Sequence, residues 1–184
     1  MPIDPESLTV ISYPAPVLRR KADPVAEITD EVRSVAVRMI DLMYEEEGIG
    51  LAAPQVGLSW RLFVTHVPPG DKRTLDDLPA TCQPDPVVYI NPVLTDPTGE
   101  VESAEEGCLS LPDIRGMVIR PPTITISATG LDGRRFTQTA GGLLARCWQH
   151  ENDHLDGVLI IDRMSQLSRL KNRTAIRDLE RSGD

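Results

Sequence analysis

Apolar positions along this chain follow two rhythms, one of three to four residues and one of two. Val32, Val35, Ala36, Met39, Ile40 and Met43 recur at three- and four-residue steps, the spacing that gathers side chains on one helix face. Thr29 and Asp30 precede them as N-cap candidates, and Gly48 is placed to stop the helix after about four turns. Further on, Ile124, Ile126 and Ala128 alternate with Thr123, Thr125, Ser127 and Thr129, which predicts a strand with one buried and one wet face. Asp132-Gly133 supplies a hairpin turn, with Phe136 on the returning strand. Apolar runs at 62–67, 87–90 and 116–120 read as further strands. Residues 8–20 form a strand or extended arm, because Pro14 and Pro16 prevent a helix. Gly141-Gly142 opens a second long helix, Val158 to Ile161 reads as a strand or extended packing segment, and a last helix runs from Ser165. The proline-rich acidic stretch 68–86 is a surface excursion. Residues 1–184 make one domain, with 165–184 as its C-terminal helix.

Composition narrows the setting. A formal charge of −9 argues against a body that grips nucleic acid non-specifically, and DNA is not an expected partner. No stretch is long and apolar enough to span a bilayer, so no membrane is expected either. The opening Met1-Pro2-Ile3-Asp4-Pro5-Glu6 lacks the regions of a secretion signal. Cys82, Cys108 and Cys147 are too few for a disulfide framework, which makes a reducing cytoplasm the natural compartment.

The chemistry concentrates in Gln149-His150-Glu151-Asn152-Asp153-His154. Two of the chain's three histidines stand four residues apart here, so on a helix both imidazoles can reach one metal ion. Glu151 beside them is placed to take a proton from water activated by that metal, the His-Glu-x-x-His pattern of metal-dependent hydrolases. Catalytic sites of this kind use three protein ligands and keep one position open. Ile160 stands where one protease class has its third histidine, and the only glutamate beyond His154 is Glu180, in a polar tail. Cys108 is the best remaining donor, because a thiolate binds borderline divalent metals tightly. Cys147, three residues before His150, is its competitor.

Three separate stretches now carry a family resemblance. Gly48-Ile49-Gly50-Leu51-Ala52-Ala53-Pro54-Gln55, Glu106-Gly107-Cys108-Leu109-Ser110 and Gln149 to His154 resemble, in order and rough spacing, the three motifs of bacterial peptide deformylases. Asn91-Pro92, the Leu131-Asp132-Gly133 turn and the closing helix extend the likeness over nearly the whole chain. The resemblance implies an α+β fold, with antiparallel sheets around a central metal-binding helix and a C-terminal helix packed outside. It implies hydrolysis of the N-formyl group from the formyl-methionine of new polypeptides, with one divalent metal ion. Fe(II) is the expected native ion; zinc, nickel or cobalt also suit the site.

On this reading Cys108, His150 and His154 are the metal ligands and Glu151 is the general base and acid. The Gln55 amide and the Leu109 backbone N–H donate to the oxyanion. Gly50 presents its backbone to the substrate peptide. The likeness further suggests that Glu106 pairs with Arg120 and that Arg115 sits at the mouth of the methionine pocket. Arg146 departs from the apolar pocket residue that the likeness leads one to expect; its stem lines the pocket while its guanidinium reaches water. Arg169, Arg173, Arg177 and Arg181 repeat every four residues, a basic row on one face of a tail that projects beyond a short contact through Met164, Leu167 and Leu170. The resemblance makes that helix a ribosome-docking element. Two rival readings remain, a metalloprotease or amidase using the same motif and a non-catalytic, ribosome-associated metal-binding protein.

Overall fold

The helical rhythm near residue 30 forms where its spacing puts it. In a computed structural model, which describes residues 2–182, α1 is Asp30–Glu45. The Thr29 hydroxyl accepts a hydrogen bond from the Val32 N–H at 3.3 Å, satisfying one of the amides that a helix start leaves unpaired. The helix stops before Gly48: Glu46 is the C-cap and Glu47 takes a positive φ of 55°. Met1, Gly183 and Asp184, the last of them an acidic residue of the tail, lie outside the described residues.

Among the described residues the strands are β1 (Gly50–Ala52), β2 (Leu62–Thr65), β3 (Val87–Thr98), β4 (Glu102–Cys108), β5 (Leu111–Arg120), β6 (Thr123–Thr129) and β7 (Arg135–Gly141). One antiparallel sheet has the order β1-β2-β3-β6-β7, and β4 and β5 form a separate hairpin. The helices that follow are α2 (Gly142–Leu155), α3 (Ile160–Arg163), α4 (Gln166–Lys171) and α5 (Arg173–Ser182). This is the α+β arrangement with antiparallel sheets that the sequence implies. No described helix is long and apolar enough to cross a membrane.

The five-stranded sheet is covered on both faces near β2, and its side chains sort by twos. Leu62, Val64, Val88 and Ile90 pack in the cluster that holds the apolar stripe of α1. Phe63 and Tyr89 point the other way, into the cluster of Leu144, Ala145 and Trp148 from α2. Burying a side chain such as Phe63 stabilises by about 2 kcal/mol. The polar ends of the aromatic residues are satisfied: the Tyr89 hydroxyl accepts from Trp148 Nε1 at 3.0 Å and from Gln83 Nε2 at 2.9 Å. Gln83 thereby anchors the end of the 68–86 stretch, which is more than a surface excursion. Cys82 and Gln83 are buried, and Ala80 bridges to Ala140 of β7.

Other segments also differ from their sequence pattern. β3 continues past Ile90 through Asn91-Pro92, where the register shifts and Asn91 takes a φ of 51°. The 48–57 loop contains β1 and a 3-10 turn at Ala53–Val56. The segment 105–112 is the end of β4, a reversal at Leu109 and Ser110, and the start of β5. Residues 158–161 are no strand; Ile160 and Ile161 begin the short α3 and are buried. The 8–20 arm is extended with a 3-10 turn at Pro16–Arg19. It joins two motif segments, since the Ile11 N–H donates to Gln55 O at 2.8 Å and the Tyr13 N–H to Ser110 O at 2.9 Å.

The tail is two helices rather than one, broken at Asn172, whose side-chain amide donates to Arg115 O at 2.7 Å. Leu167 and Leu170 are 63% and 64% exposed, so they are not its apolar contact. Ala175, Ile176 and Leu179 pack instead against the cluster of Leu111, Ile114 and Val118 from β5. The outer end does not project freely either, for Glu180 accepts a hydrogen bond from the Tyr13 hydroxyl at 3.0 Å.

Gly157 ends α2 with a φ of 73°, and a Cβ there would meet Arg19 O at 2.7 Å and Arg19 C at 2.8 Å. A backbone neighbour cannot rotate away as a side chain does. Gly157→Ala should therefore destabilise the protein by about 2 kcal/mol in urea unfolding. An unchanged midpoint would show that the arm does not pack against this turn.

Candidate metal centre

α2 carries His150 and His154 one turn apart, and β4 ends in Cys108. The hairpin delivers the thiol because its register shifts between Gly107 and Cys108, pairing Cys108 with Leu111. A shift of this kind re-aims a side chain out of the pleat. Cys108 Sγ lies 3.3 Å from His154 Nε2, which lies 3.2 Å from His150 Nε2. All three donors fall within 4.8 Å of one another.

A proton count shows that these donors suit a cation. His150 Nδ1 lies 3.1 Å from Glu106 Oε2, and a carboxylate accepts only, so the proton belongs on Nδ1. That leaves a lone pair on His150 Nε2, aimed at another ring nitrogen and a sulfur. Burial lowers the pKa of His154 well below the usual imidazole value, helped by the positive surroundings of His150 and Arg120, which favours its neutral, ligating form. Burial would lower His150 as well, but hydrogen bonds to Cys108 and Glu106 and the charge of Glu151 raise it well above the usual value. Surroundings that favour positive charge on that ring also favour a cation held between the donors.

Glu106 is the hub behind them. Arg120 donates to both its oxygens, Nε to Oε1 at 2.7 Å and an Nη to Oε2 at 2.9 Å, and both side chains are 5% exposed. Burial alone would raise this carboxyl, but the hydrogen bonds and charges of Arg120 and His150 hold it well below the usual carboxylate range. Arg120 also donates to Asp153 at 2.9 Å, and Asp153 accepts from Arg163 at 2.8 Å. Asp153 thus ties α2 to β5 and α3.

Glu151 lies in the opposite environment. It is buried, its Oε2 has no hydrogen-bond partner, and burial pushes its carboxyl up to about 7 despite the pull of His150. Gly50 of β1 lies against it. A Cβ on Gly50 would overlap the Glu151 carboxylate and meet Cys147 Sγ at 2.9 Å, so a side chain there would have to displace Glu151. Gln55 is fixed at both ends: its Oε1 accepts from the Ala52 N–H at 2.9 Å and its Nε2 donates to Ser110 Oγ at 3.2 Å. That orientation leaves Nε2 3.6 Å from Cys108 Sγ.

A cleft of about 350 Å³ brings Gly50, Gln55, Cys108, Leu109, His150 and Glu151 together. Glu106, Arg115 and Arg146 also line it, Arg115 at an exposed position on β5. Arg146 behaves otherwise than its sequence position suggested. Its guanidinium is held by the protein, donating to Glu106 Oε1 at 2.8 Å, Val118 O at 3.0 Å and Glu102 O at 2.9 Å. Cys147 is set apart from the donors. Burial pushes its thiol up, and its Sγ donates to Ile49 O at 3.5 Å. Ser110 and Leu143 were not singled out from the sequence. Leu143, two helical turns before His150 on the same face, was findable by that spacing; Ser110 lay inside the Glu106–Ser110 motif, but no spacing marked its hydroxyl as the partner of Gln55.

Comparisons with known proteins give the family and the fold. The family model described as Polypeptide deformylase matches residues 7–170. The peptide deformylase of Acidobacterium capsulatum is 44% identical over 176 residues, covering 95% of this chain and 96% of that protein. The crystal structure of peptide deformylase from Ehrlichia chaffeensis superposes with a TM-score of 0.85 at 30% identity, covering 96% of each chain. A peptide deformylase from Synechococcus elongatus in complex with actinonin gives 0.79 at 40% identity, covering 94% of this chain and 87% of that one.

The two cysteines nearest the site should separate cleanly. Cys108→Ala should lose bound metal in elemental analysis of the folded protein, whereas Cys147→Ala should keep about one equivalent. Full metal content in Cys108→Ala would remove the sulfur from the donor set.

Proposed function

The chain belongs to the polypeptide deformylase family, and we propose how its own residues remove the formyl group from the formyl-methionine of a new polypeptide. Deformylases are metalloenzymes, and this chain has a Cys-His-His group that fits an ion. Cys108, His150 and His154 would hold it. An ion in that donor set supplies Lewis acidity to water and to the formyl oxygen. Fe(II) is the native ion in this reading, with zinc, nickel and cobalt compatible with sulfur and imidazole.

One observation carries the proposal: Cys108, His150, Glu151 and Gly50 at the edge of β1 line the same cleft, with the third donor, His154, buried within 4.8 Å of the other two. β1 is the last strand of its sheet, paired only with β2. An extended peptide adds to such an edge through backbone hydrogen bonds, and at Gly50 the absence of a side chain leaves room for the Glu151 carboxylate. The methionine side chain enters the part of the cleft lined by Ile114 and Leu143, with Arg115 at the rim. Glu151 accepts the proton of the attacking water at a carboxyl poised near neutrality, then delivers it to the leaving amine as the C–N bond breaks. Formate and a free amino terminus result. The Gln55 side-chain N–H and the Leu109 backbone N–H stabilise charge on the formyl oxygen. The relatives compared above are deformylases, and neither an internal-bond protease nor a non-catalytic binding protein finds support among them.

The substrate also sets the surroundings: nascent chains imply the cytoplasm and a place near the ribosome. Arg173, Arg177 and Arg181 are exposed on α5, a basic strip suited to ribosomal RNA phosphates, whereas Arg169 belongs to the separate α4 and bonds Ile161 O at 3.2 Å.

Metal content, peptide turnover and ribosome co-sedimentation test these assignments. Glu151→Gln should keep its metal but lose about 10²- to 10⁴-fold in turnover of a formyl-Met peptide, and Gln55→Ala should lose about 10²-fold in kcat. Loss of metal from Glu151→Gln would recast that residue as structural. Replacing Arg173, Arg177 and Arg181 with glutamate should weaken ribosome co-sedimentation at low salt and leave peptide turnover unchanged. Equal co-sedimentation would leave α5 a solvated helix.

A further inference from the structure

We propose that Arg146 is a positioning residue for the metal centre, one that locks the helix carrying His150 and His154 to the hairpin carrying Cys108. The inference rests on the assignment of those three residues as ligands. It differs from the view of Arg146 as a wall of the substrate pocket.

The donor set is divided between two elements. Two donors stand on α2 and one at the end of β4, with Cys108 and His154 46 positions apart in the chain. The triangle therefore keeps its size only while the hairpin and α2 hold their relative place. Arg120 helps by bonding Asp153 of α2. Arg146 does more, because it stands on α2 one turn before His150 and reaches both strands of the hairpin. It bonds Glu102 O and Glu106 Oε1 on β4 and Val118 O on β5, at 2.8–3.0 Å. Those β4 acceptors lie just before Cys108 in the same strand.

The contact with Glu106 matters separately. Glu106 Oε1 receives Arg120 Nε and Arg146, while Oε2 receives the other Arg120 nitrogen and His150 Nδ1. Without Arg146, Oε1 keeps a single donor and the carboxylate that orients the His150 ring is held from one side only. The Arg146 side chain is 12% exposed. Both of its Nη atoms are engaged by protein acceptors. Its charge alone would oppose a nearby cation, and Glu106 stands against it; what favours metal retention is the geometry it imposes.

Cobalt(II) is a suitable probe, because its visible absorption reports the thiolate and imidazole ligands directly. The protein is loaded with Co(II) and its release to excess EDTA is followed. Arg146→Met, which keeps an apolar stem, should release the ion about tenfold faster and change the cobalt spectrum. Arg146→Lys, which keeps the charge without the planar fork, should fall between, about threefold faster. KM for a formyl-Met peptide should stay within about twofold of wild type in both. Release at the wild-type rate from the folded variants would overturn the proposal, as would a large rise in KM with the ion fully retained. Should Arg146→Met fail to fold, Arg146→Lys decides by the same release measurement. Wild-type protein and Cys108→Ala are run alongside. If the wild type takes up no cobalt, the ligand assignment falls and this inference with it; if it takes one ion and Cys108→Ala takes none, only the role of Arg146 is under test.

Discussion

A single carboxylate with little access to water holds the site together. Burying the charge of Glu106 costs several kcal/mol unless it is paired and hydrogen-bonded. Its three partners come from two elements: Arg120 from β5, and Arg146 and His150 from α2. The desolvation cost is met only when the hairpin and the helix are both in position, and that is also the condition for Cys108 to reach the histidines. Removing one partner of such a pair typically destabilises by about 3–5 kcal/mol. The ionic network thus sets geometry more than it adds net stability.

The cleft contains two buried carboxyl groups with opposite tendencies. Glu106 is held ionised by guanidinium groups, whereas Glu151 has no cationic hydrogen-bond partner and is pushed towards neutrality by burial. One acts as a fixed charge and the other is poised to exchange a proton. Environment alone assigns the roles. Gly50 maintains the second environment, since any larger residue would displace Glu151.

Local periodicity made much of the fold legible. The stripe from Val32 to Met43 and the alternation from Thr123 to Thr129 each carry their own evidence, and both elements form as read. β4 reads Glu-Ser-Ala-Glu-Glu-Gly-Cys, without an apolar face, and is a strand only because β5 pairs with it. β1 is three residues long and β3 runs through a proline; neither shows alternation over its full length. Val158 to Ile161 is apolar throughout, a pattern that does not separate a strand from a buried helical turn. Within the site, the histidines were legible because helical spacing is local; between Cys108 and Cys147 spacing left the choice open, and the likeness of the Glu106–Ser110 stretch decided it. Arg146 was not legible, for two of its three acceptors are backbone carbonyls of strands far away in sequence.

An unpaired strand edge is ordinarily a hazard, a template to which any extended chain can stick. Here the edge of β1 lies within a walled cleft that also holds the Glu151 carboxyl. Only a segment whose own backbone groups are free can pair with it, and a terminus already built into a sheet or helix has none to offer. The enzyme therefore works against a clock set by its substrate. Each new polypeptide is readable for as long as its first residues stay extended, and folding closes that interval.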